Sequence, residues 1–364
     1  MENQNIARKL KITNFSNSIM LWFVGLGIAG ADGIGSDAKK IIKKADLVYF
    51  ENFTSPITKS ELVKIKKMVK DEFKTAPRWL VEDGKEILKE AKKKEVVLLS
   101  YGDPYIATTH IELRTRAILE KIRTKTIHAA SAITSLIGEC GFHFYKIGKI
   151  VTMMKDQQSV SSVYYTLYDN LVAGNHTIII LEFNSDAKFF LNPKDAFSSL
   201  LVAESGQKRN VIDYSSFVIV ASRIGAKNQK IIAGKISSLV NTDFGKPPHT
   251  IIIPGRMHFT ESDALKVLAK CIDEPFDNSS KIQKISEQML QKYIPKARKA
   301  LEEVINRFKD DKSLQSVLEN AELYLDDAEK FQNQGKEELA VLSIGYAEGL
   351  IDALRFSKGI DPWT

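Results

Sequence analysis

Cysteine is scarce in this sequence, and long apolar runs are missing. The chain has two cysteines, Cys140 and Cys271, which are too few for a disulfide framework and lack the paired spacing of a zinc site. No segment approaches the ~20 consecutive apolar residues that a membrane-spanning helix requires. We therefore expect a protein of a reducing cytoplasm with no membrane partner.

One apolar stretch, 19–31, follows a basic segment and in that respect resembles a secretory signal. Glycine recurs within it, however, and the stretch runs directly into a polar helix start at Ser36. These features are typical of a buried strand and its following loop, so we predict a strand there.

Excess charge of one sign is modest, at a formal net +7. Residues 279–364 carry 13 Lys and Arg against 15 Asp and Glu, so the positive excess lies in the rest of the chain. A lysine-rich stretch, 59–74, contributes to it, but no aromatic residues alternate with its lysines. We interpret this stretch as a solvated helix face and expect no direct nucleic-acid binding.

Apolar patterning predicts an α/β protein, because short β-branched or aromatic runs alternate with amphipathic helical stretches. The first block has predicted strands at 21–24, 47–51, 96–100 and 126–128. Its predicted helices lie at 36–44, 59–70, 82–93, 111–123 and 133–140. This repeated alternation predicts a mostly parallel sheet.

A second α/β block and a helical tail follow the first. The block has predicted strands at 176–183, 217–221 and 250–253, with helices near 162–171 and 195–204. From residue 279 apolar residues recur every three or four positions, which predicts a three-helix bundle whose second helix is capped by Ser313. The predicted domains are a polar leader (1–19), an N-terminal α/β domain (20–147), a second α/β domain (148–272) and the helical tail (279–364).

The glycines at positions 25, 27 and 30 follow a predicted strand, and Glu51 ends the next one. This spacing satisfies a dinucleotide-binding fingerprint, in which glycines let backbone amides approach a pyrophosphate. The predicted helix nevertheless begins several residues late. A tight turn after a buried strand is the alternative interpretation, and we favour it.

A second candidate site is Gly102-Asp103-Pro104, at the C-terminal end of a predicted strand. Open parallel sheets bind their ligands at such ends, and Asp103 there offers an acceptor for ribose hydroxyls or an amino group. The alternative is an ordinary turn, with Thr109 capping the helix that begins at His110.

Several segments resemble, in the same order, those of the diphthine synthases. They are 20–28, 48–55, 102–110, 127–131, 174–181 and 243–249, and the resemblance covers about residues 20–265. It implies the tetrapyrrole-methylase-like fold, a homodimer, and S-adenosylmethionine held in a cleft between two α/β domains. The tail separately resembles a small helical domain of unknown function found in archaeal proteins.

Matching motif positions in that family implies a set of cofactor contacts. They are Ile28, Asp103, Ile106, Ser131, Ala132, Leu181, Ile224 and His249. The resemblance also implies that the glycines at positions 25 and 27 shape the floor of the cleft and do not bind phosphate.

The acceptor implied by the resemblance is a histidine of translation elongation factor 2 that carries an aminocarboxypropyl group. We expect no side-chain nucleophile, because methyl transfer to an amine is an in-line displacement. Glu51 and His110 are candidate polar groups on the substrate side, or satisfied turn residues. Four aromatic residues are candidates for holding a cationic product, or for core packing: Tyr49, Phe53, Tyr101 and Tyr105.

Two other function classes remain open at this stage. A related methylase acting on a tetrapyrrole would share the fold and the cofactor site, because the acceptor pocket alone would differ. A non-catalytic scaffold would have a vestigial cofactor site and use the helical tail for its interactions.

Overall fold

The computed structural model describes residues 19–54, 57–184, 187–282 and 284–363. It divides into two compact units: the first ends at Ser279, and the second comprises Gly206–Val211 and Ser280–Thr364. Apart from Ile19, the predicted polar leader lies outside the described residues, as does Ser55 of the segment 48–55. The domain boundaries drawn from the sequence stay predictions.

The first sheet has five parallel strands in the order β3-β2-β4-β1-β5. They are β1 Leu21–Gly25, β2 Leu47–Glu51, β3 Glu72–Ala76, β4 Val96–Ser100 and β5 Thr124–Ile127. Every residue of β2 and β4 is buried, as in a parallel sheet covered by helices on both faces. The predicted α/β class and the parallel first sheet are confirmed.

Six helices lie in this half of the chain among the described residues, and the last of them packs against the second sheet. They are α1 Ser36–Lys44, α2 Lys59–Met68, α3 Arg78–Asp83, α4 Lys85–Ala91, α5 His110–Leu119 and α6 Ala132–Glu139. The single helix predicted at 82–93 is wrong, because Gly84 at φ 62° separates α3 from α4. The strand predicted at 126–128 begins earlier, because its residues pair in register with β1.

Strand β3 was missed by the sequence analysis. It lies at an edge of the sheet and pairs with β2 alone. Four of its five residues are exposed or half-buried, so it lacks the apolar run that revealed β2 and β4.

The second sheet is mixed and has six strands in the order β13-β11-β10-β12-β7-β6. The strands of this half are β6 Val151–Met153, β7 Thr177–Leu181, β8 Phe183–Asn184, β9 Phe189–Phe190, β10 Phe217–Ser222, β11 Lys230–Lys235, β12 His249–Ile253 and β13 Lys270–Cys271. Its helices are α7 Gln157–Val172, α8 Pro193–Gln207, α9 Ile236–Leu239 and α10 Phe259–Leu268. Strands β7, β10 and β12 and helices α7 and α8 were predicted. Most of the remaining elements were missed because they are short or contain many polar residues, whereas β11 has only a four-residue buried centre between two lysines.

Glu261, in the first turn of α10, fastens three segments of the second half. Its carboxylate accepts from the backbone N–H of His143 at 2.8 Å and of His258 at 2.7 Å, and it also contacts Lys146 Nζ and, at 3.2 Å, His176 Nε2. Burial by itself raises the pKa of this carboxyl, but the Lys146 ammonium and the two backbone N–H groups outweigh it and lower the pKa of Glu261 to about 2.

The second unit contains three long helices, α11 Ile285–Phe308, α12 Gln315–Asn333 and α13 Glu337–Lys358. Alanine, leucine and other small or aliphatic side chains fill a core between them, among them Ala297, Leu301 and Ala328. The predicted helical tail is confirmed. The predicted three- and four-residue spacing of buried apolar positions includes Met289. In the first turns of α11 the buried positions are offset from it, because Leu290 is buried while Met289 is 38% exposed.

Ser313 does not cap the second of these helices, contrary to the prediction. Leu314 occupies the N-cap position without a side-chain hydrogen bond. The Ser313 hydroxyl instead donates to Asp311 Oδ1 at 2.5 Å, in the turn before the helix. A local side-chain turn has replaced the expected cap.

Removing the Glu261 carboxylate should destabilise the fold in a pH-dependent way. We expect Glu261→Gln to lower the free energy of unfolding at pH 7 by about 3 kcal/mol. Because the folded-state pKa of Glu261 is depressed, its contribution is complete above the ordinary value of 4.5 and is lost as the pH falls toward 2. Urea unfolding of wild type and variant should therefore converge below pH 4.5.

Glu274→Gln is the matched control. Glu274 pairs with Lys266 at the surface, where solvent screens the interaction, and its side chain is 82% exposed. We expect little change for this variant. Equal losses for the two variants would contradict the fastening role of Glu261.

Candidate active site

The loops that follow β1 and β4 meet at one edge of the first sheet. Gly27 and Gly102 form an antiparallel bridge with N to O distances of 3.1 and 3.0 Å, and their φ angles are 76° and 73°. A Cβ on Gly25 would lie 2.6 Å from the Gly102 oxygen and 2.8 Å from the Ala129 Cβ. Glycine is therefore required here by close approach and by backbone conformation.

This arrangement does not support dinucleotide binding. The Gly27 amide already donates to Gly102, so it is not available to a pyrophosphate. The fingerprint acid, Glu51, is 1% exposed, and its Oε2 accepts from the Thr54 hydroxyl at 2.7 Å. The tight-turn interpretation of the glycines accounts for both observations.

Asp103 ties the loop after β4 to the loop after β5. Oδ1 accepts from the backbone N–H of Tyr105 at 2.9 Å, and Oδ2 lies 2.8 Å from His128 Nδ1 and accepts from the Ala129 N–H at 3.2 Å. We expected the carboxylate to serve as a ligand acceptor. The structure instead gives it three protein partners, so its first role is to fix the shape of these loops.

A cavity of about 800 Å³ lies over these loops and is lined by residues from both halves of the first unit. The structure brings together on its walls all eight residues predicted to contact the cofactor. They are Ile28, Asp103, Ile106, Ser131, Ala132, Leu181, Ile224 and His249. Their roles in binding remain predictions.

The N-terminus of α6, the helix that follows β5, lies at the cavity. Ser131 is the N-cap residue, and its Oγ accepts from the Ile133 N–H at 3.3 Å. Ser131, Ala132 and Ile133 all line the cavity. The unpaired amides of a helix N-terminus carry partial positive charge, so this wall favours a negatively charged group.

The second sheet contributes apolar side chains and one histidine. Leu181 and Ile224 are 5% and 9% exposed. His249 Nδ1 lies 2.7 Å from Ser222 Oγ, and burial lowers the pKa of His249 to about 4. The imidazole is therefore neutral near pH 7, and His249 adds no formal positive charge to this wall.

Two of the four candidate aromatic residues are absent from the described lining of the cavity. Tyr49 is fully buried with its hydroxyl 2.7 Å from Glu86 Oε1, and Tyr105 lies 3.0 Å from Thr126 Oγ1 through its hydroxyl. Core packing is the correct interpretation for both. Phe53 and Tyr101 do line the cavity.

The two candidate polar groups on the substrate side, Glu51 and His110, are also absent from the described lining. Burial raises the pKa of Glu51. His110 is fully buried, neither of its ring nitrogens has a hydrogen-bond partner among the described residues, and burial lowers its pKa to about 4. Both are buried, and Glu51 holds the Phe53–Thr54 loop.

Sequence analysis did not single out Arg78 or Met154, which also line the cavity. Arg78 directly follows β3 and Pro77, and Met154 directly follows β6. Because neither strand was predicted, neither residue was predicted to lie at the carboxyl end of a strand. The signal available was Pro77, which commonly stands at the start of a helix.

Neither a metal centre nor a membrane span is found in the part of the chain that the structure describes. There, no group of three or more His, Cys, Asp or Glu side chains is placed to hold a metal ion. No helix there is long and apolar enough to cross a membrane.

A sequence profile of the tetrapyrrole (corrin/porphyrin) methylases matches residues 20–240. The chain belongs to the tetrapyrrole methylase family. The predicted methylase-like fold and methyltransferase class are thus confirmed. A second profile, that of a protein of unknown function (DUF357), matches residues 292–360 and confirms the predicted character of the tail.

Within the tetrapyrrole methylase family, this chain is similar to several diphthine synthases. It is 34% identical to that of Methanocaldococcus jannaschii over 258 residues, which are 70% of this chain and 100% of the relative. It is also 34% identical to that of Methanococcus vannielii over 252 residues, 68% of this chain and 98% of the relative. A crystal structure of diphthine synthase matches with a TM-score of 0.60 at 28% identity, covering 69% of this chain and 96% of that one.

Asp103→Ala should affect both the cavity and the fold. We expect affinity for S-adenosylmethionine to fall roughly tenfold or more and the free energy of unfolding to fall by about 1–3 kcal/mol, because buried N–H donors lose their acceptor. Calorimetric titration and urea unfolding measure the two effects.

Asp46→Ala is the matched control, because Asp46 Oδ2 accepts from the Glu95 N–H at 2.7 Å and is remote from the described lining of the cavity. That variant should lose stability and keep its affinity. Unchanged affinity in Asp103→Ala would refute the cofactor assignment for this loop.

Proposed function

We propose that this chain is a diphthine synthase. It uses S-adenosylmethionine to methylate the amine of the aminocarboxypropyl-histidine in translation elongation factor 2, a step of diphthamide biosynthesis. The observation that carries the proposal is the extent of the similarity, which runs through the whole length of a curated relative and is not confined to one motif.

The residues of the cavity fit this cofactor. Its volume of about 800 Å³ is within the range of ligand sites, roughly 300–1,000 Å³, and toward the upper end of it. When bound, S-adenosylmethionine supplies a methyl group carried on a positively charged sulfur. The N-terminus of α6 suits the carboxylate of such a ligand, and a neutral His249 adds no charge that would oppose its sulfonium.

The protein's part in the reaction is alignment and exclusion of water. Leu181 and Ile224 provide apolar walls, and Asp103 holds two loops in a fixed shape around the site. The acceptor amine has an ordinary pKa near ~8, so an appreciable fraction is neutral and nucleophilic at pH 7. Each N–C bond would form as the methyl–sulfur bond breaks and the thioether leaves neutral. A new ammonium group that still carries a proton would release it to water before the next transfer, so no side-chain nucleophile is required.

The test uses elongation factor 2 purified from a strain that lacks this gene. Full-length protein and S-adenosylmethionine should add methyl groups to the modified histidine, and mass spectrometry counts them. Transfer to a tetrapyrrole acceptor instead would favour the related methylase activity. Failure to bind S-adenosylmethionine in calorimetry would favour a scaffold.

We further propose a cytoplasmic homodimer in which the helical tail is separable from methyl transfer. Truncation after Asn278 should leave a folded dimer that binds S-adenosylmethionine with unchanged affinity. Asn278 itself is needed, because its side chain hydrogen-bonds both backbone groups of Phe217 and the carbonyl of Pro254. Light scattering and calorimetry on both proteins make the comparison.

Two outcomes of the truncation would assign the tail a role in the reaction. A soluble truncated dimer that does not bind cofactor would make the tail part of the site and the boundary wrong. Normal cofactor binding with lost turnover on elongation factor 2 would make the tail a docking element for the substrate protein.

A further inference from the structure

Along the edge of the first sheet, two groups of loops line the cavity. The predicted cofactor contacts from this sheet follow β1, β4 and β5, which are neighbours in the strand order. Strands β2 and β3 lie on the other side of β4, and the loops after them also contribute to the lining. The contributing residues on that side are Phe53, Thr54 and Arg78. We expect the acceptor to bind beside these loops, away from the predicted cofactor contacts.

Arg78 presents its guanidinium group on a rigid support. Its Cζ lies 4.9 Å from the centroid of the Phe53 ring. Phe53 is 5% exposed, and its backbone N–H donates to the buried carboxylate of Glu51. A stacked arginine keeps its edge N–H groups free for a planar anion.

The intramolecular pairing of Arg78 is weak. Its Nη1 lies 3.4 Å from Glu82 Oε1, a pair one helical turn apart, and the Arg78 side chain is 55% exposed. Such surface pairs contribute little and exchange readily with another carboxylate.

The other charged side chains that line the cavity are already engaged. The Arg223 guanidinium donates to Asn228 Oδ1 at 2.9 Å and to the Pro247 carbonyl at 3.2 Å. Glu182 Oε2 accepts from the Lys155 N–H at 3.1 Å. Asp103 has the three protein partners described above, so Arg78 is the lining cation best placed to bind an anionic group of a ligand.

We propose that Arg78 binds the carboxylate of the aminocarboxypropyl group on the acceptor histidine. This inference rests on the proposed function, which requires an acceptor with an amine and a carboxylate on the same carbon. A guanidinium group binds a carboxylate through two parallel hydrogen bonds and so fixes its orientation. Holding the carboxylate thus positions the adjacent nitrogen.

The carboxylate is also a better group than the amine for holding an acceptor that is methylated repeatedly. Each methyl group changes the donors, bulk and charge of the amine, whereas the carboxylate is the same before and after every transfer. An anchor on the carboxylate therefore remains usable however many methyl groups are added. We expect this contact to leave the predicted cofactor contacts on the loops after β1, β4 and β5 unchanged.

The first experiment compares Arg78→Gln and Arg78→Lys with wild type on modified elongation factor 2. We expect kcat/KM for the protein acceptor to fall roughly ten- to a hundredfold in Arg78→Gln, with partial recovery in Arg78→Lys. Affinity for S-adenosylmethionine should be unchanged in calorimetry. Arg114→Gln is the matched control, because Arg114 stacks over Tyr105 at 5.4 Å and is not part of the described lining.

The second experiment tests the carboxylate directly. Two synthetic peptides, with a histidine bearing either an aminocarboxypropyl or an aminopropyl group, compete with elongation factor 2 for the enzyme. Wild type should prefer the carboxylate peptide by roughly tenfold, and Arg78→Gln should lose that preference.

Several outcomes would overturn the inference. Loss of S-adenosylmethionine affinity in Arg78→Gln would assign Arg78 to the cofactor, and an undiminished peptide preference would assign the carboxylate to another group. Unchanged kcat/KM in Arg78→Gln would remove Arg78 from acceptor binding. Wild type that binds S-adenosylmethionine but does not methylate elongation factor 2 would refute the proposed function, and this inference with it.

Discussion

The close approach of two loop backbones, at Gly27 and Gly102, is the constraint on which the site depends. A side chain at Gly25 would separate the end of β1 from both of its neighbouring loops, and the positive φ angles at Gly27 and Gly102 let their backbones pair. Asp103 then fixes the loop after β5 against this pair. The loops after β1, β4 and β5 are thus held together by backbone pairing and by the Asp103 carboxylate, and residues of all three loops line the cavity.

Loops held in this way suit a reaction in which the protein needs no reactive side chain. Apart from Arg78, the charged residues that line the cavity are engaged within the protein, as Asp103 and Arg223 are, and His249 is neutral. A cationic donor and a neutral amine meet little opposing charge in these surroundings. The proposed reaction then depends mainly on alignment, which loops held in a fixed shape can supply.

Sequence patterning predicted the interior strands well and the edges poorly. Strands β2 and β4 are continuous apolar runs because helices cover both their faces, and their bounds were predicted correctly. Strand β3 is largely exposed, so nothing in its composition separates it from a loop. That miss hid Arg78, whereas the eight predicted cofactor contacts, all of which line the cavity, were proposed from family resemblance, which unlike periodicity does not depend on burial.

Asn278 lies near the end of the first unit, and its side chain hydrogen-bonds to the backbone of that unit. It is 2% exposed, and its amide completes the hydrogen bonding of Phe217 at the start of β10. Beyond it, α11, α12 and α13 bury their apolar residues in a core of their own, and Arg298 pairs with Asp326 and Glu329 between helices of that bundle. Among the described residues, the apolar core of this bundle is built entirely from residues beyond Asn278, as the proposed separability of the tail requires.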